Sequence, residues 1–449
     1  MMRCLSSVVV AAAVLLAGCE SVSRVVLPEK RPRGEAIGPK ATFTSEPDIR
    51  VRVAAGVSSR EVSGPEMVVV RPATTDPGLK AQQAKSPVTV TSGPGGVKVV
   101  DGGGKVIEFP FSTDVEILPL GVGSQGGMAG GSQSLKVGAV RYPGFVVIRP
   151  QWNGNPSVFE VVISMPVESY LPGVLTHELF KDWPRQVFEC QAVAARTYAL
   201  HERARSRAEG RGYDVEDSTQ DQVYGGATSA TLPNEAARAT RGQVLAYEGR
   251  LIRAYYSSAC GGRPNSAKMV WPTGKGYEFN LLEPVQGKKR QHYCQGSRFY
   301  RWEVTRSDDD VSRRLRAWGK AFKHEVENLT RLRSVEVEEQ NDAERPVRYR
   351  VMDDRGGSYV LTGEELRNGL NQGVAGLAGI TEKTRVNSGD LEVEVWADTV
   401  RIRGRGWGHG VGMCQWCAKG MADSGLDWRT MISQFYPSAE VVRAYDTGR

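Results

Sequence analysis

The pattern of hydrophobic and polar positions changes near residue 163. From Ile49 to about Val162, short apolar stretches such as Met67–Val70 and Phe145–Ile148 are separated by turns that contain Gly and Pro, as β-strands are. From Val167 onward apolar residues recur at helical spacing, most clearly over Pro184–Leu200, where Pro184 suits a first helical turn. The pattern therefore predicts an α+β fold, with a β-rich part at 48–162 and a mixed part at 163–444.

Further elements follow from local signals. We expect a solvent-facing helix over 309–329, and a hairpin over 347–361 that turns at Arg355–Gly357. Two helices are expected near 413–424 and 427–435, the second with Asp427 as its N-cap. The glycine-rich residues 121–133 predict a mobile loop.

The N-terminus has the pattern of an export signal. One arginine precedes an apolar run from Leu5 to Leu16, which is too short to span a bilayer stably. The run ends in Leu16-Ala17-Gly18-Cys19, which resembles the bacterial lipoprotein processing site. That resemblance implies a signal peptide at 1–18, lipid on Cys19 and a flexible tether at 19–47. An ordinary cleaved signal with an incidental cysteine is the alternative.

Composition and charge limit the classes of molecule that this protein is expected to bind. Of the 449 residues, 40% are hydrophobic and 24% charged, as in ordinary globular proteins, and the net charge is +7. Nucleic acid is not expected as a partner outside the cytoplasm, so the charge favours an anionic envelope polymer, or only a solvated basic surface. We expect a lipid anchor in the cell envelope, in the outer membrane facing the periplasm where two membranes exist, because Glu20 follows Cys19.

Glu178 is the first candidate for chemistry. His177-Glu178 begins like a zinc-protease helix, but Lys181 stands where that motif needs its second histidine. Leu179, Phe180 and Trp183 surround Glu178 in sequence, and an apolar setting raises the pKa of a carboxyl, as a general acid requires. A plain surface glutamate in a helical connection is the alternative.

Three further segments carry polar or glycine-rich patterns. Residues 218–226 offer amide, hydroxyl and phenol groups, which suit a carbohydrate site or an ordinary polar turn. Residues 255–263 include the pair Gly261-Gly262, which permits close approach of backbone and ligand. In residues 404–413 glycine occupies every second position, with Arg405, Trp407 and His409 between.

In this order, these segments resemble the stage II sporulation protein D / amidase-enhancer family, over roughly residues 48–444. The matching motifs are Tyr170-Leu171-Pro172-Gly173-Val174 with Glu178, Trp183-Pro184, residues 191–199, Gln222-Val223-Tyr224, Tyr256-Ser257-Ser258 with Gly261-Gly262, and residues 406–413. The resemblance implies a peptidoglycan lytic transglycosylase acting on peptide-stripped glycan strands, or a non-catalytic enhancer of a cell-wall amidase. It implies a mixed catalytic domain in which Glu178 is the catalytic acid and no cofactor is required.

The resemblance also implies the residues that bind the glycan. Arg196 and Arg405 are candidates to receive lactyl carboxylates. The full set of expected substrate-binding residues is Arg196, Tyr198, Gln222, Tyr224, Ser257, Ser258, Gly261, Gly262, Arg405, Trp407, Gly408, His409 and Gln415.

The cysteines depart from the family pattern. Beyond Cys4 and Cys19, five of the seven cysteines remain, so at least one is free, binds metal or pairs between chains. Some family members bind zinc near residue 260, and Cys260, His292 and Cys294 would supply three ligands, although a Cys260–Cys294 disulfide fits equally well. Cys414 and Cys417 form a Cys-x-x-Cys pair that is redox-active, metal-binding or, as we favour, two small buried thiols. A thiol oxidoreductase is thus a third, weaker hypothesis.

Overall fold

The structure, a computed structural model, describes residues 37–446 except 75, 77, 121–133 and 151. The expected signal peptide at 1–18, the lipidation site Cys19 and the expected loop at 121–133 lie outside the described residues. Helix accounts for 26% and strand for 33% of the structure, with the strands concentrated in N-terminal sheets. The predicted α+β class is confirmed.

Residues 48–166 form a succession of short strands. Their bounds are β1 Asp48–Val57, β2 Ser59–Ser63, β3 Met67–Pro72, β4 Gln82–Lys85, β5 Val88–Gly93, β6 Gly96–Val100, β7 Val106–Phe109, β8 Val115–Pro119, β9 Ser134–Val137, β10 Val140–Pro143, β11 Phe145–Pro150 and β12 Phe159–Pro166. In β3 buried and half-buried residues alternate, as the sequence pattern predicts for a strand with one face in a core.

The rest of the chain mixes helices and strands. These elements are α1 Val167–Glu178, α2 Arg185–Ala208, β13 Val215–Glu216, α3 Thr231–Ala239, β14 Gln243–Tyr247, β15 Arg250–Leu251, β16 Tyr256–Ser257, β17 Trp302–Ser307, α4 Asp308–Phe322, β18 Leu332–Gln340, β19 Pro346–Asp353, β20 Ser358–Thr362, α5 Gly363–Leu370, β21 Leu391–Trp396, β22 Thr399–Gly404, β23 Met413–Cys414, α6 Gln415–Asp423, α7 Trp428–Phe435 and β24 Glu440–Arg443. Among the helices of the described residues, none has the length and apolar character needed to cross a bilayer.

Two large sheets and the central helices share one hydrophobic core. The sheet orders are β13-β1-β12-β11-β8-β3-β4 and β10-β9-β2-β5-β6-β7. Buried valines of both sheets belong to the same cluster of buried residues as the inward face of α2. Alanines at 192, 194, 195 and 199 are fully buried in α2, so neighbouring elements can approach this helix closely. The predicted helix at 184–200 is confirmed and continues to Ala208.

A second, smaller core lies under the segment 302–404. Its sheets are β17-β22-β21 and β18-β19-β20, and α4 and α5 cover them with residues such as Leu315 and Leu366. The predicted hairpin forms between β19 and β20. The predicted helix at 309–329 ends at Phe322 and is followed by a short 3-10 turn at Glu325–Asn328, because Lys323 adopts a left-handed conformation that stops the helix.

The described part of the expected tether, residues 37–47, packs against the folded domain. Ala41 is only 3% exposed, and its amide donates to the Gly249 carbonyl at 3.3 Å. The Phe43 amide donates to the Ala444 carbonyl at 2.6 Å, next to the three-stranded sheet β15-β14-β24. These residues therefore form part of the edge of the domain.

Candidate active site and candidate metal centre

Glu178 lies at the last position of α1, immediately before the chain becomes extended at Leu179. The residue as a whole is half-buried, but its carboxyl group is enclosed and accepts three hydrogen bonds. The Val223 amide donates to Oε1 at 3.2 Å, the Tyr256 hydroxyl donates to Oε1 at 3.5 Å, and Gln415 Nε2 donates to Oε2 at 3.1 Å. We call these four residues the Glu178 site.

Burial is the largest influence on this carboxyl and raises the pKa of Glu178 above its ordinary value. The hydrogen bonds from Gln415, Val223 and Tyr256 favour the ionised form and offset part of that rise. The direction of the shift agrees with the apolar sequence context of Glu178. Such a carboxyl can hold a proton at a higher pH than an ordinary glutamate and can still be stabilised after losing it.

The expected polar residues form a network behind Glu178. Gln222 is fully buried, donates to the Tyr256 hydroxyl at 3.0 Å and accepts from the Tyr170 hydroxyl at 3.1 Å. Gln222 therefore orients Tyr256, and Gln415, which is 5% exposed, orients Glu178 directly. Both were expected to bind substrate, but their side chains are occupied within this network.

Arg196 requires a correction. Its side chain is 0% exposed and forms a paired contact with Glu168, with Nη2 to Oε2 at 2.8 Å. The remaining guanidinium donors reach backbone carbonyls, including that of Gln243 at 3.1 Å. A guanidinium enclosed in this way cannot meet a lactyl carboxylate, so its role is to join α1 to the neighbouring elements.

Tyr198 and Tyr224 are likewise placed inside the fold. The Tyr198 hydroxyl donates to Asp221 Oδ1 at 2.9 Å, and the residue is 5% exposed. The Tyr224 ring is 1% exposed and lies 4.9 Å from the Tyr170 ring, between centroids. The backbone of the Gln222–Tyr224 turn meets Glu178, whereas the tyrosine ring supports the turn from the core.

The glycine-rich ribbon at 404–413 packs on the loop that carries the serines. Ala259 and Trp407 exchange backbone hydrogen bonds of 3.1 and 2.8 Å, and Ser257 lies against Gly408. A Cβ on Gly261 would come within 2.6 Å of Arg405 Cβ and 2.7 Å of the Gly406 amide nitrogen, so Gly261 permits contact between two backbones. Gly262 faces the side chains of His292 and Tyr300. The Gly261-Gly262 pair was expected to permit close approach of a ligand. Ser258, half-buried, accepts the Trp416 amide on its carbonyl at 3.0 Å.

The side chains of the ribbon point to different surroundings. The Trp407 ring packs edge-on against Phe299 at 4.0 Å between centroids. His409 lies 4.9 Å from the Trp271 ring, and burial lowers its pKa to about 4, so it is neutral at pH 7. Arg405 lines a separate surface cavity of about 360 Å³ beside Trp302. Among the described residues, these three side chains contact groups other than Glu178.

Three aromatic residues are close in sequence to Glu178 or Gln415 and were not predicted to bind a ligand. Phe180, Trp183 and Trp416 have ring centroids 5.1 to 6.1 Å apart. Phe180 is 46% exposed, whereas Trp183 is 6% exposed. We call these three residues the aromatic patch. Phe180 and Trp183 were noted only as the apolar setting of Glu178, and Trp416 joins them through the tertiary fold alone.

The cysteines form a candidate metal centre that differs from the expected one. The Sγ atoms of Cys260, Cys294, Cys414 and Cys417 all lie within 4.8 Å of one another, and all four residues are buried. His292 is not among them, since its Nε2 pairs with the Tyr300 hydroxyl at 3.0 Å. Cys414 and Cys417, which we favoured as inert thiols, complete the set in its place. This cysteine cluster could bind a structural zinc.

The thiols of the cluster are not joined as disulfides. All five cysteines in the described part of the chain are free, and Cys260 Sγ lies 3.8 Å from Cys294 Sγ and 3.8 Å from Cys417 Sγ. A disulfide bond would bring two sulfurs to about 2.05 Å. Hydrogen bonds from the thiols of Cys294, Cys414 and Cys417 lower the pKa of Cys260, which favours a thiolate.

Two family models match parts of this chain. Residues 156–247, which include Glu178 and the Gln222–Tyr224 turn, match the family model described as "Stage II sporulation protein". Residues 278–412 match a domain of unknown function, DUF8618. The first match is narrower than the span 48–444 over which the sequence motifs resembled the family.

Over parts of its length the chain is therefore similar to stage II sporulation protein D and to an amidase enhancer. It is 27% identical to the amidase enhancer of Bacillus subtilis over 296 residues, which are 60% of this chain and 39% of that protein. It is 24% identical to stage II sporulation protein D of Bacillus subtilis over 332 residues, 70% of this chain and 82% of that protein. An uncharacterised protein of Brachyspira hyodysenteriae is 29% identical over 287 residues, 63% of this chain and 68% of its own length.

Proposed function

We propose that this protein is a peptidoglycan lytic transglycosylase that cleaves the bond between muramic acid and glucosamine in peptide-stripped glycan strands. The observation that carries the proposal is the Glu178 site. It offers one carboxyl whose pKa is raised by burial, with three hydrogen-bond donors in contact with it. Ordinary glycosidases need two carboxyls, but this reaction needs only one.

The reaction can run on a single carboxyl because the nucleophile belongs to the substrate. Protonated Glu178 gives its proton to the glycosidic oxygen, and the bond from that oxygen to the anomeric carbon of muramic acid breaks. The C6 hydroxyl of the same muramic acid then attacks the anomeric carbon, and ionised Glu178 accepts its proton. The products are a 1,6-anhydro-muramic end and a free hydroxyl on the glucosamine, and Glu178 returns to its protonated form.

The three donors serve the second half of this cycle. Between the two proton transfers Glu178 carries a full charge in a poorly solvated position. Three donors already point at this carboxylate and stabilise its negative charge, so little rearrangement is needed. They are Gln415 Nε2, the Val223 amide and the Tyr256 hydroxyl. The raised pKa therefore keeps Glu178 protonated for the donation step, and the hydrogen bonds stabilise its ionised form afterwards.

The aromatic patch supports a glycan as the ligand. Phe180 follows Glu178 by two positions, and Trp416 follows Gln415, so exposed aromatic surface lies next to the reacting carboxyl. The apolar face of a pyranose ring packs on such surfaces while its hydroxyls stay in water. No cofactor takes part in the proposed chemistry, and a zinc ion on the cysteine cluster would have a structural role.

The proposal extends to location and partners. An exported protein lipid-anchored through Cys19 would meet peptidoglycan strands from the membrane side, in the outer membrane facing the periplasm where two membranes exist, and nucleic acid is not a partner there. Two anchoring signals or several acyl chains together would give lasting attachment.

The second candidate is a non-catalytic glycan-binding protein that stimulates an N-acetylmuramoyl-L-alanine amidase. The match to the amidase enhancer of Bacillus subtilis favours this alternative. Both functions would use the same surface, so only an assay for glycan cleavage distinguishes them.

Incubation of purified protein with peptide-stripped glycan strands separates the two functions. Mass spectrometry of the products is expected to show anhydro-muramic ends with the wild type. Glu178→Gln should lower their rate of formation by about 10²–10⁴-fold, the usual contribution of a general acid–base group. The control is Glu209→Gln, an exposed carboxyl at the end of α2. Absence of anhydro ends with wild type, or their persistence with Glu178→Gln, contradicts the enzymatic function and leaves the enhancer.

A further inference from the structure

The cysteine cluster joins three segments that are distant in sequence. Cys260 belongs to the loop after β16, Cys294 begins a short 3-10 turn, and Cys414 and Cys417 flank the start of α6. The four side chains are buried, at 1% exposure or less. In the exported location proposed above, four buried thiols without a disulfide would be unusual.

The spacing of the sulfurs fits one tetrahedral ion. Zinc holds four thiolates at about 2.3 Å in a tetrahedron, which separates neighbouring sulfurs by about 3.8 Å. The distances from Cys260 Sγ to Cys294 Sγ and to Cys417 Sγ are both 3.8 Å, and no pair of the four exceeds 4.8 Å. Tetrahedral sites made of four sulfurs are typical of zinc or iron.

A second, independent observation is the set of amides around Cys414. The Cys260 and Cys417 amides both donate to Cys414 Sγ, at 3.2 and 3.3 Å. Amide donors to a sulfur stabilise it as a thiolate and orient it, as outer hydrogen bonds do at metal sites. Two backbone amides of the cluster thus orient Cys414 Sγ.

The cluster also encloses a residue of the Glu178 site. Gln415 lies directly after Cys414 and two positions before Cys417, and its side chain donates to Glu178. The Trp416 amide in the same turn donates to the Ser258 carbonyl, two residues from Cys260. Fixing the four sulfurs therefore fixes the backbone on both sides of Gln415.

We propose that Cys260, Cys294, Cys414 and Cys417 bind one Zn²⁺ ion, and that this ion holds Gln415 in position to donate to Glu178. Binding replaces the protons of the thiols by coordination to the metal, so up to four protons are released and no oxidant is needed. Gln415 is a positioning residue in this account. The metal site does not depend on the proposed function, because its occupancy is measured without substrate.

The first test measures metal in the purified full chain by mass spectrometry of the elements. We expect one zinc per chain in wild type, and zinc retention at least about tenfold weaker in Cys294→Ala, as loss of metal-site residues produces. Cys190→Ala is the matched control, because Cys190 is a buried free cysteine that contacts Met413 outside the cluster, and it should keep one zinc. Gln415→Ala should also keep one zinc, since Gln415 supplies no ligand.

The second test measures amide hydrogen exchange before and after a chelator removes zinc from the wild type. The amides of Cys260, Trp416 and Cys417 should exchange faster, at least about tenfold, while those of the distant strand β3 should not change. A chain without zinc, a chain that contains iron, or a chain whose mass shows two disulfides overturns the metal assignment. Loss of zinc with unchanged exchange at Trp416 and Cys417 overturns the positioning of Gln415.

Discussion

Two buried carboxyls in this molecule have opposite properties. Glu178, at the end of α1, has a raised pKa because burial outweighs the hydrogen bonds from neutral donors. Glu202, in α2, is 2% exposed, and burial alone would raise its pKa too, but His201, Arg253 and Arg205 together lower it to about 2. Arg253 and Arg205 lie 3.0 and 3.1 Å from its oxygens.

The difference shows how neighbours decide the use of a buried carboxyl. Glu202 has two cations and is permanently ionised, so it links elements and cannot exchange a proton near neutral pH. Glu178 has neutral donors, Gln415, Tyr256 and an amide, which leave both protonation states accessible. Burial is common to both, so the absence of a paired cation among the described contacts of Glu178 is the feature that suits it to proton transfer.

Removing the charge of Glu202 should have the largest effect on stability. Glu202→Gln leaves Arg253 buried without its carboxylate, and breaking such a pair costs about 3–5 kcal/mol. Denaturant unfolding at pH 7 should show this loss. Glu178→Gln, which removes a poorly solvated carboxyl with no cation, should not show it. Equal losses in the two variants would mean that the two carboxyls do not differ as described.

The two carboxyls should change the stability of the protein with pH in opposite directions. The pKa of Glu202 is lowered from its ordinary value of 4.5 to about 2, so its contribution is present above pH 4.5 and is lost as pH falls from there towards 2. The pKa of Glu178 is raised, so its contribution to stability is present below the ordinary pKa and is lost as pH rises through the folded pKa.

The free energy of unfolding, measured from pH 2 to 8, should therefore fall less steeply on the acid side in Glu202→Gln than in wild type. In Glu178→Gln the change should appear above pH 4.5 instead, as a smaller loss with rising pH. Profiles that change on the same side would contradict the opposite shifts.

A smaller effect is expected from Gln415. Its hydrogen bond favours ionised Glu178, so Gln415→Leu should raise the pKa of Glu178 further and move the alkaline limit of strand cleavage to higher pH. The rate against pH, compared with wild type, measures the shift. Gln286→Leu is a control amide whose side chain donates to the carbonyls of Asn280 and Leu282, and its profile should stay in place. A shift to lower pH in Gln415→Leu would exclude this role.

Local sequence signals predicted much of the fold. Pro184 before an apolar helix, Asp427 as an N-cap that accepts the Arg429 and Thr430 amides, and the glycine turn between β19 and β20 are all in place. Each of these features is determined by residues a few positions away in the chain, so a local sequence pattern can predict it. The apolar residues after Glu178 predicted its raised pKa for the same reason.

Contacts between distant segments could not be predicted in this way. Arg196 was expected to meet substrate, but its partner Glu168 lies in the preceding helix, and no periodicity indicates that pair. Cys260 and Cys417 are 157 residues apart, so only the fold brings them together and leaves His292 outside. The aromatic patch likewise depends on the approach of α6 to the turn after α1.

The packing of residues 37–47 has a mechanical consequence. The Pro47 carbonyl accepts the Val167 amide at 2.9 Å, and Glu46 Oε1 accepts the Glu168 amide at 3.2 Å, so this segment is bonded to the first turn of α1. Glu178 stands at the other end of that helix, about 16 Å from Val167 at 1.5 Å per residue. A force applied to the chain ahead of Pro47 would thus reach the first turn of the helix that ends in Glu178. Tension on the N-terminal segment would therefore act on the helix that carries Glu178, and that helix has Pro172 in its interior.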